Sequence, residues 1–88
     1  MESFKILWKK SAIKDLEKIP SKIVRRIIEI VESLSENPFP RGVRKIIGTE
    51  NFFRIRVGDY RIIYHVDKKN KIVTIYYIRH RKTAYRGF

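Results

Sequence analysis

The sequence predicts an α+β fold, in which a first strand and a helical hairpin precede an antiparallel β-meander and the helices pack on one sheet face. The main observation is a change of hydrophobic period after about residue 42, from the 3.6 of a helix to the 2 of a strand. Two turn signals support it. Pro20 interrupts the helical part, and Gly58-Asp59 separates two alternating runs. The length of 88 residues predicts one domain spanning residues 1–88.

The N-terminal half predicts a strand and two helices. Phe4, Ile6 and Trp8 alternate with Lys5 and Lys9 around Leu7, which predicts a first strand. Ser11 is a favourable N-cap for a short helix that Pro20 ends. Ser21 is expected to cap a second helix, which stops ahead of Pro38 because the residue before a proline resists the α region. The short joint predicts an antiparallel helical hairpin.

The C-terminal half predicts strands joined by short turns. In order, we expect a loop over 38–42, a short strand or extended lead-in over 43–47, strands over 52–57 and 60–66, a polar loop over 67–71, a strand over 72–79 and a basic, aromatic tail over 80–88. The glycine at position 58 supplies the positive φ that a two-residue turn requires.

The turn at residues 58–59 fixes which side chains share a face. One face is apolar and suited to meet the helices; it carries Phe53, Ile55, Val57, Tyr60, Ile62 and Tyr64. The opposite face carries Arg54, with Arg56 directly across from Arg61. Like charges opposed across a strand pair are destabilising, so the fold alone gives no reason for them. With a five-residue loop, Val66 would pair with Ile72, Tyr77 would lie across from Arg61, and Arg79 would face the same way as the other three arginines.

Charge points to a polyanionic partner. The chain has 21 Lys+Arg against 9 Asp+Glu, and residues 41–88 hold 13 of the basic but only 3 of the acidic residues. This one-sided, arginine-rich surplus favours nucleic acid, since guanidinium groups bind phosphates bidentately. Two plainer interpretations stay open: a surplus that only aids solubility or heat resistance, and an ordinary solvated outer face. The absence of cysteine excludes disulfides and thiolate chemistry. No apolar run is long enough for a signal peptide or a membrane span, so we expect a soluble, cytoplasmic protein.

Three segments resemble the RelE/ParE toxin superfamily. The most specific is the run over residues 53–64, Phe-Arg-Ile-Arg-Val-Gly-Asp-Tyr-Arg-Ile-Ile-Tyr. Residues 43–48 resemble the family's basic lead-in, and residues 78–86 are similar to its His- and Arg-rich C-terminal segment. The order of elements agrees over essentially the whole chain. The resemblance implies a microbial RNase-like fold and a toxin of a type II toxin–antitoxin system, RelE-type in its site residues.

The resemblance also implies a site and partners. Arg54 and Arg56 stand where RelE-type toxins place two basic catalytic residues, and Arg61 stands where they place an arginine that stabilises the transition state. Arg79 matches a second such arginine, and Tyr85 the tyrosine that positions or stacks on the mRNA. The expected RNA-binding residues are Arg44, Lys45, Arg81, Lys82 and Arg86. The implied activity is metal-independent, ribosome-dependent cleavage of mRNA in the A site. The implied partners are the ribosome with its mRNA and rRNA, and a RelB-like antitoxin in a hetero-oligomer.

The arginines do not supply the general base and acid that RNA cleavage requires. RNA cleavage through the 2′-hydroxyl needs a base, an acid and positive charge at the phosphate. Arginine cannot serve as an ordinary base, and here it replaces the lysines common in the family. His80 and Tyr85 are the remaining candidates, while His65 is expected to be a bystander. No cofactor or metal is expected, since two histidines and no cysteine offer no ligand cluster.

Two other functions stay open: a ParE-like inhibitor of DNA gyrase, and a catalytically weak homologue that binds RNA or the ribosome. The antitoxin is expected to be acidic or to carry an amphipathic helix. Plausible binding sites for the antitoxin are Ile63, Val73, Ile75 and the apolar parts of the helices.

Overall fold

A computed structural model describes residues 3–82. The two helices are α1 (Lys10–Leu16) and α2 (Ser21–Ser33). The five strands are β1 (Lys5–Trp8), β2 (Arg44–Lys45), β3 (Phe52–Val57), β4 (Tyr60–Asp67) and β5 (Ile72–His80). They form one sheet in the order β1-β5-β4-β3-β2. The predicted α+β order of elements is confirmed, and the predicted short strand at residues 43–47 is the edge strand β2.

The N-terminal strand joins the sheet in a way that the sequence did not indicate. β1 pairs in parallel with β5, the last strand, with Lys5 opposite Ile72 and Trp8 opposite Ile75. Parallel strands cannot be joined by a tight turn, and the connection between these two consists of both helices and strands β2 to β4. The first and last strands thereby hold the two ends of the described chain together.

Both predicted N-caps are wrong. Lys9 precedes α1 and Pro20 precedes α2, neither with a side-chain capping bond. Ser11 lies inside α1, and its hydroxyl donates to the backbone carbonyl of Tyr76. That bond fastens α1 to β5, so a serine that suits a cap serves a tertiary contact here. Ser21 is the first helical residue after Pro20, whose fixed φ suits the entry to a helix.

The main core lies between the helices and one sheet face. The helices contribute Ala12, Ile27 and Val31, and Leu34 follows at the end of α2; all four are essentially inaccessible. The strands contribute Ile55, Val57, Ile62, Tyr64, Val66, Val73, Ile75 and Ile78. The predicted apolar face is thus confirmed, with Phe53 and Tyr60 partly buried at its margin.

Three predicted antitoxin contacts are excluded by burial. Ile63, Val73 and Ile75 each have 0% exposed surface, so no partner reaches them in the folded chain. Val73 and Ile75 face the helices as part of the main core. Ile63 lies on the other sheet face, where alternation predicted an exposed position.

Candidate nucleic-acid interface

Three arginines form a straight line across three neighbouring strands. Arg56 of β3 is opposite Arg61 of β4, which is in turn opposite Arg79 of β5. We call these three residues the arginine row. Residues that pair directly across a sheet share a face, and this one is turned away from the helices. Neighbouring strands lie about 5 Å apart, so the row spans about 10 Å.

The partner of Arg61 was predicted wrongly, although the face of Arg79 was right. Asp67 belongs to β4 and pairs with Ile72, so the register differs by one residue from the predicted one. A bulge then inserts Tyr76 opposite the junction of Ile63 and Tyr64, which shifts the register by one more residue. A single shift would have turned Arg79 toward the helices. The two shifts together return it to the predicted face.

Two further arginines extend the positive surface toward the edge of the sheet. Arg54 lies two residues before Arg56 and therefore shares its face, and Arg44 of β2 is opposite Arg54. We call the sheet face that carries the arginine row with Arg54 and Arg44 the arginine face. Lys45 is opposite Phe53 and lines a groove at this edge together with Arg54. The structure therefore brings Arg44, and beside it Lys45, to the predicted site.

The row arginines are held by backbone oxygens, one carboxylate and one ring. Arg56 donates from Nε to the carbonyl oxygen of Gly58 at 3.1 Å, and Arg61 donates to that of Tyr60 at 3.5 Å. The Arg79 guanidinium lies 4.2 Å from the centre of the Tyr77 ring. Its Nε is 3.9 Å from a carboxylate oxygen of Asp15. Such partners orient the groups and leave them ready to bind an anion.

Asp15 of α1 supplies a carboxylate partner to the arginine row. β5 extends beyond the end of β1, which leaves the backbone N–H of Ile78 without a strand partner from β1. Asp15 of α1 accepts a hydrogen bond from that N–H at 2.9 Å, and the same oxygen faces Arg79. The contact spans 63 residues of sequence, so no local pattern could reveal it.

His80 does not join the arginine face. It is opposite Tyr60, whose ring it contacts at 5.4 Å between centroids, and Tyr60 packs against the core on the helix side. His80 lines a cleft there with Asp15, Lys18 and Arg79. The strand pairing thus sets His80 on the opposite sheet face from Arg61, in a cleft that Arg79 also lines, and its predicted catalytic role stays a prediction.

The remaining tail residues are only partly described. Arg81 donates its backbone N–H to the carbonyl of Asp59 at 2.7 Å, which places it beside the turn at the end of the arginine row. Arg81 and Lys82 are exposed. Tyr85 and Arg86 lie outside the described residues, so their predicted roles stay predictions.

The structure adds an aromatic cluster to the arginine face that the sequence analysis missed. It consists of Phe52, His65, Tyr76 and Tyr77, which we call the aromatic platform. Phe52 contacts His65 and Tyr76 at 4.9 and 5.0 Å between ring centroids. The Tyr76-Tyr77 pair, which breaks the alternation of β5, was the signal available in the sequence.

Chemically, this face can bind a chain of phosphates. Three guanidinium groups in a row offer forked N–H donors, and their positive charges repel one another until an anion lies among them. Within residues 3–82, no group of three or more His, Cys, Asp or Glu side chains is arranged to hold a metal ion. In that same range, neither helix has the length and apolar character that crossing a membrane requires.

The chain matches known toxins over nearly its full length. Residues 6–85 match the family model of the ParE toxin of the type II toxin–antitoxin system parDE. Toxin RelE3 of Methanocaldococcus jannaschii is 36% identical over 88 residues, covering 96% of this chain and 98% of the relative. Toxin RelE of Mycobacterium tuberculosis is 34% identical over 77 residues, covering 86% and 79%.

Solved structures agree in fold. The archaeal RelE–RelB complex of Pyrococcus horikoshii contains a chain with a TM-score of 0.81 and 34% identity, covering 96% of this chain and 100% of that one. The RelB–RelE complex of Methanococcus jannaschii gives a TM-score of 0.77 and 32% identity, covering 93% and 98%. The family model, the sequence relatives and the shared fold lead to one conclusion: this chain belongs to the RelE/ParE superfamily of type II toxin–antitoxin toxins.

Proposed function

We propose that the chain, as one toxin domain over residues 1–88, is an endoribonuclease that cleaves mRNA in the ribosomal A site without a metal ion and thereby stops translation. The observation that carries this proposal is the arginine row. Three positive charges in register across three strands oppose folding, and a bound RNA phosphate relieves their repulsion. The ribosome supplies the mRNA in an exposed, single-stranded form.

The row suits the charge that develops during cleavage. The 2′-hydroxyl of a ribose gives its proton to a solvent water as its oxygen forms a bond to the adjacent phosphorus, and the bond from phosphorus to the 5′-oxygen of the next nucleotide breaks as that oxygen takes up a proton. The products are a 2′,3′-cyclic phosphate and a free 5′-hydroxyl. Arg61 sits between the other two row arginines and is positioned to contact the non-bridging oxygens, where negative charge builds up. Arg54 and Arg56 hold the phosphate in place beside it.

The proton transfers need a different group. Arginine stays protonated at every useful pH, so the row stabilises charge and does not remove the 2′-proton. His80 lies on the helix side, and His65 is four residues from Arg61 along β4, about 13 Å by strand rise. We therefore assign the proton delivered to the leaving 5′-oxygen to the phenol of Tyr85, which the resemblance places at the mRNA.

A cell-free translation assay with primer extension on a reporter mRNA tests the proposal. The parent chain should produce new 5′ ends at A-site codons, and Arg61→Ala should lower the cleavage rate by a factor of about 100 or more, because one transition-state contact is lost. Arg26→Ala removes the same charge from the exposed side of α2 and is the matched control. Equal cleavage by the parent and Arg61→Ala would mean that the site is misplaced.

A RelB-like antitoxin is the proposed partner in the cell. The relatives from Pyrococcus horikoshii and Methanococcus jannaschii were solved as RelE–RelB complexes. We propose a cytoplasmic hetero-oligomer in which an acidic antitoxin segment covers the arginine face. Arg61→Ala should still co-purify with the antitoxin but bind it less tightly, because four other arginines of the face remain for an acidic segment. An affinity for the antitoxin equal to the parent's would contradict this assignment.

Inhibition of DNA gyrase is the second candidate, since the matching family model describes a ParE toxin. A supercoiling assay with purified gyrase separates the two activities. Intact mRNA together with inhibited supercoiling supports the ParE-type function. Ribosome binding with neither effect indicates a catalytically weak homologue.

A further inference from the structure

The aromatic platform lies on the arginine face but outside the main core. Its four side chains, Phe52, His65, Tyr76 and Tyr77, are all partly exposed. The main core is formed on the opposite face, against the helices. On the arginine face, Ile63 is fully buried opposite Tyr77 and belongs to no part of that core. Aliphatic side chains would cover one isoleucine equally well, so the choice of four rings calls for another explanation.

The platform is within reach of a nucleotide whose phosphate lies on the arginine row. Along β4, Arg61, Ile63 and His65 succeed one another on the arginine face, and each two-residue step covers about 7 Å. Tyr77 is opposite Ile63, between the row and His65. A base attached through its ribose to a phosphate at Arg61 therefore extends over the rings.

Positive side chains border two of the rings. The Lys9 ammonium is 5.3 Å from the centre of the Tyr76 ring, and the Arg79 guanidinium is 4.2 Å from that of Tyr77. Partly exposed rings bordered by cations, beside a positive track, are the composition of sites that bind single-stranded nucleic acid. Asp67 is the acidic residue of β4 on this face, and it lies at the far end of the strand from Arg61.

We propose that the aromatic platform is a base-binding subsite, which stacks an unpaired nucleobase of the RNA whose phosphate the arginine row holds. This inference rests on the proposed function and specifies its substrate as a single strand. A base inside an RNA duplex stays stacked on its neighbours and cannot lie on the rings. Binding by stacking tolerates any base, because every base presents a π-face.

The test measures whether the contribution of the bases to RNA binding depends on the ring of His65. The probes are a fluorescein-labelled single-stranded RNA heptamer and a heptamer of the same length and charge from which all bases are absent. Fluorescence anisotropy at low salt gives both dissociation constants for the full-length parent chain and for His65→Ala. The parent should bind the RNA at least about five-fold more tightly than the baseless strand, and His65→Ala should reduce that ratio by about five-fold.

Two variants serve as controls. His65→Phe keeps a ring and should restore the parent's ratio. Phe39→Leu removes a ring packed against Phe53 on the helix side and should leave the ratio unchanged. A purely structural role of His65 predicts that both strands bind less tightly by the same factor, with the ratio preserved. That result overturns the base-binding subsite.

The proposed function fails in a different way. If Arg61→Ala weakens both strands equally while His65→Ala preserves the ratio, the phosphate site stands and the base subsite does not. If His65→Ala changes the ratio while Arg61→Ala has no effect on either strand, the phosphate site is misplaced. A chain that binds neither strand at low salt overturns both proposals.

Discussion

At the scale of single residues, the arginine row sets like charges opposite one another across the sheet. Arg61 has another arginine directly opposite on each side, an arrangement that destabilises a sheet by a fraction of a kcal/mol per pair. The Asp15 carboxylate and the Tyr77 ring both contact the guanidinium of Arg79 and offset part of the repulsion that it experiences. The cost is therefore concentrated on Arg61.

Arg61→Met should make the chain more stable. Methionine keeps an unbranched, apolar side chain to pack on the sheet and drops the charge, so the free energy of unfolding should rise by about 0.5 kcal/mol at low salt. This increase in the free energy of unfolding should be smaller at about 0.5 M salt, because ions screen the repulsion among the row arginines of the parent. Urea unfolding at both salt concentrations measures it.

Arg26→Met on the exposed side of α2 is the control, since it lowers the net charge equally. Arginine and methionine have similar helix propensities, so the control does not perturb α2. If Arg61→Met is no more stable than this control, the row arginines do not strain the folded chain.

At the scale of elements, one buried phenol ties the loop after α2 to the sheet. Tyr64 of β4 has 0% exposed surface, and its hydroxyl donates to the carbonyl of Pro38 at 2.7 Å. Phe39 then packs edge-on against Phe53 with 5.0 Å between ring centroids. These contacts fix where the chain leaves the helices and enters β2, and hence where Arg44 lies.

Tyr64→Phe should lower the free energy of unfolding by about 1–2 kcal/mol near neutral pH, because the Pro38 carbonyl loses its donor. Burial raises the pKa of Tyr64 above its ordinary value. Below a pH of about 10 the phenol is neutral in both states, and its contribution is fully present. Above that pH the unfolded chain ionises first, so the parent loses this contribution as pH rises toward the folded-state pKa.

The difference between the parent and Tyr64→Phe should therefore narrow at alkaline pH. Urea unfolding of both proteins measures this difference at about pH 8, below the ordinary tyrosine pKa, and at about pH 11, above it. Lysine and other tyrosine titrations occur in both proteins and cancel in the difference. If the difference in the free energy of unfolding stays constant or widens between the two pH values, the hydroxyl of Tyr64 is not buried as described.

The sequence predicts the β3–β4 hairpin correctly because a two-residue turn leaves one choice of register. Gly58 has the positive φ expected, 58°, and every predicted pair from Val57–Tyr60 to Phe53–Tyr64 is present. The β4–β5 pair has no such constraint. Asp67 stays in the strand and accepts hydrogen bonds from Asn70, which lowers the pKa of its carboxyl. A polar residue that looks like the start of a loop is here the last residue of β4.

Contacts between distant residues were beyond prediction for a different reason. The parallel pairing of β1 with β5, and the Asp15 bonds to β5, join segments more than 60 residues apart. Loop length, turn type and periodicity describe only neighbours along the chain. The buried position of Ile63 was missed likewise, because it depends on rings from β3 and β5 that meet over β4.

At the scale of the whole molecule, the fold collects the charge that the sequence spreads along its second half. Residues 41–88 carry 13 basic and 3 acidic residues, a net +10 of the total +12. The alternation of the strands places five arginines from that half on the arginine face, while α1 and α2 cover the other face. The sequence was therefore enough to predict which sheet face the arginines share, but not the rings beside them or the position of His80 on the other face.

Salt dependence should reveal how many row arginines touch phosphates. Each phosphate contact with a single strand contributes about 0.7 to the slope of log affinity against log salt concentration, because bound counterions are released. Arg61→Ala should therefore bind the RNA heptamer with a slope shallower than the parent's by about 0.7. Arg26→Ala has the same net charge and should keep the parent's slope, since a charge on α2 acts only at long range and releases no ion from the bound strand. If the two variants give the same slope, RNA is attracted by the overall charge of the chain, and the register that aligns the arginines has no part in holding it.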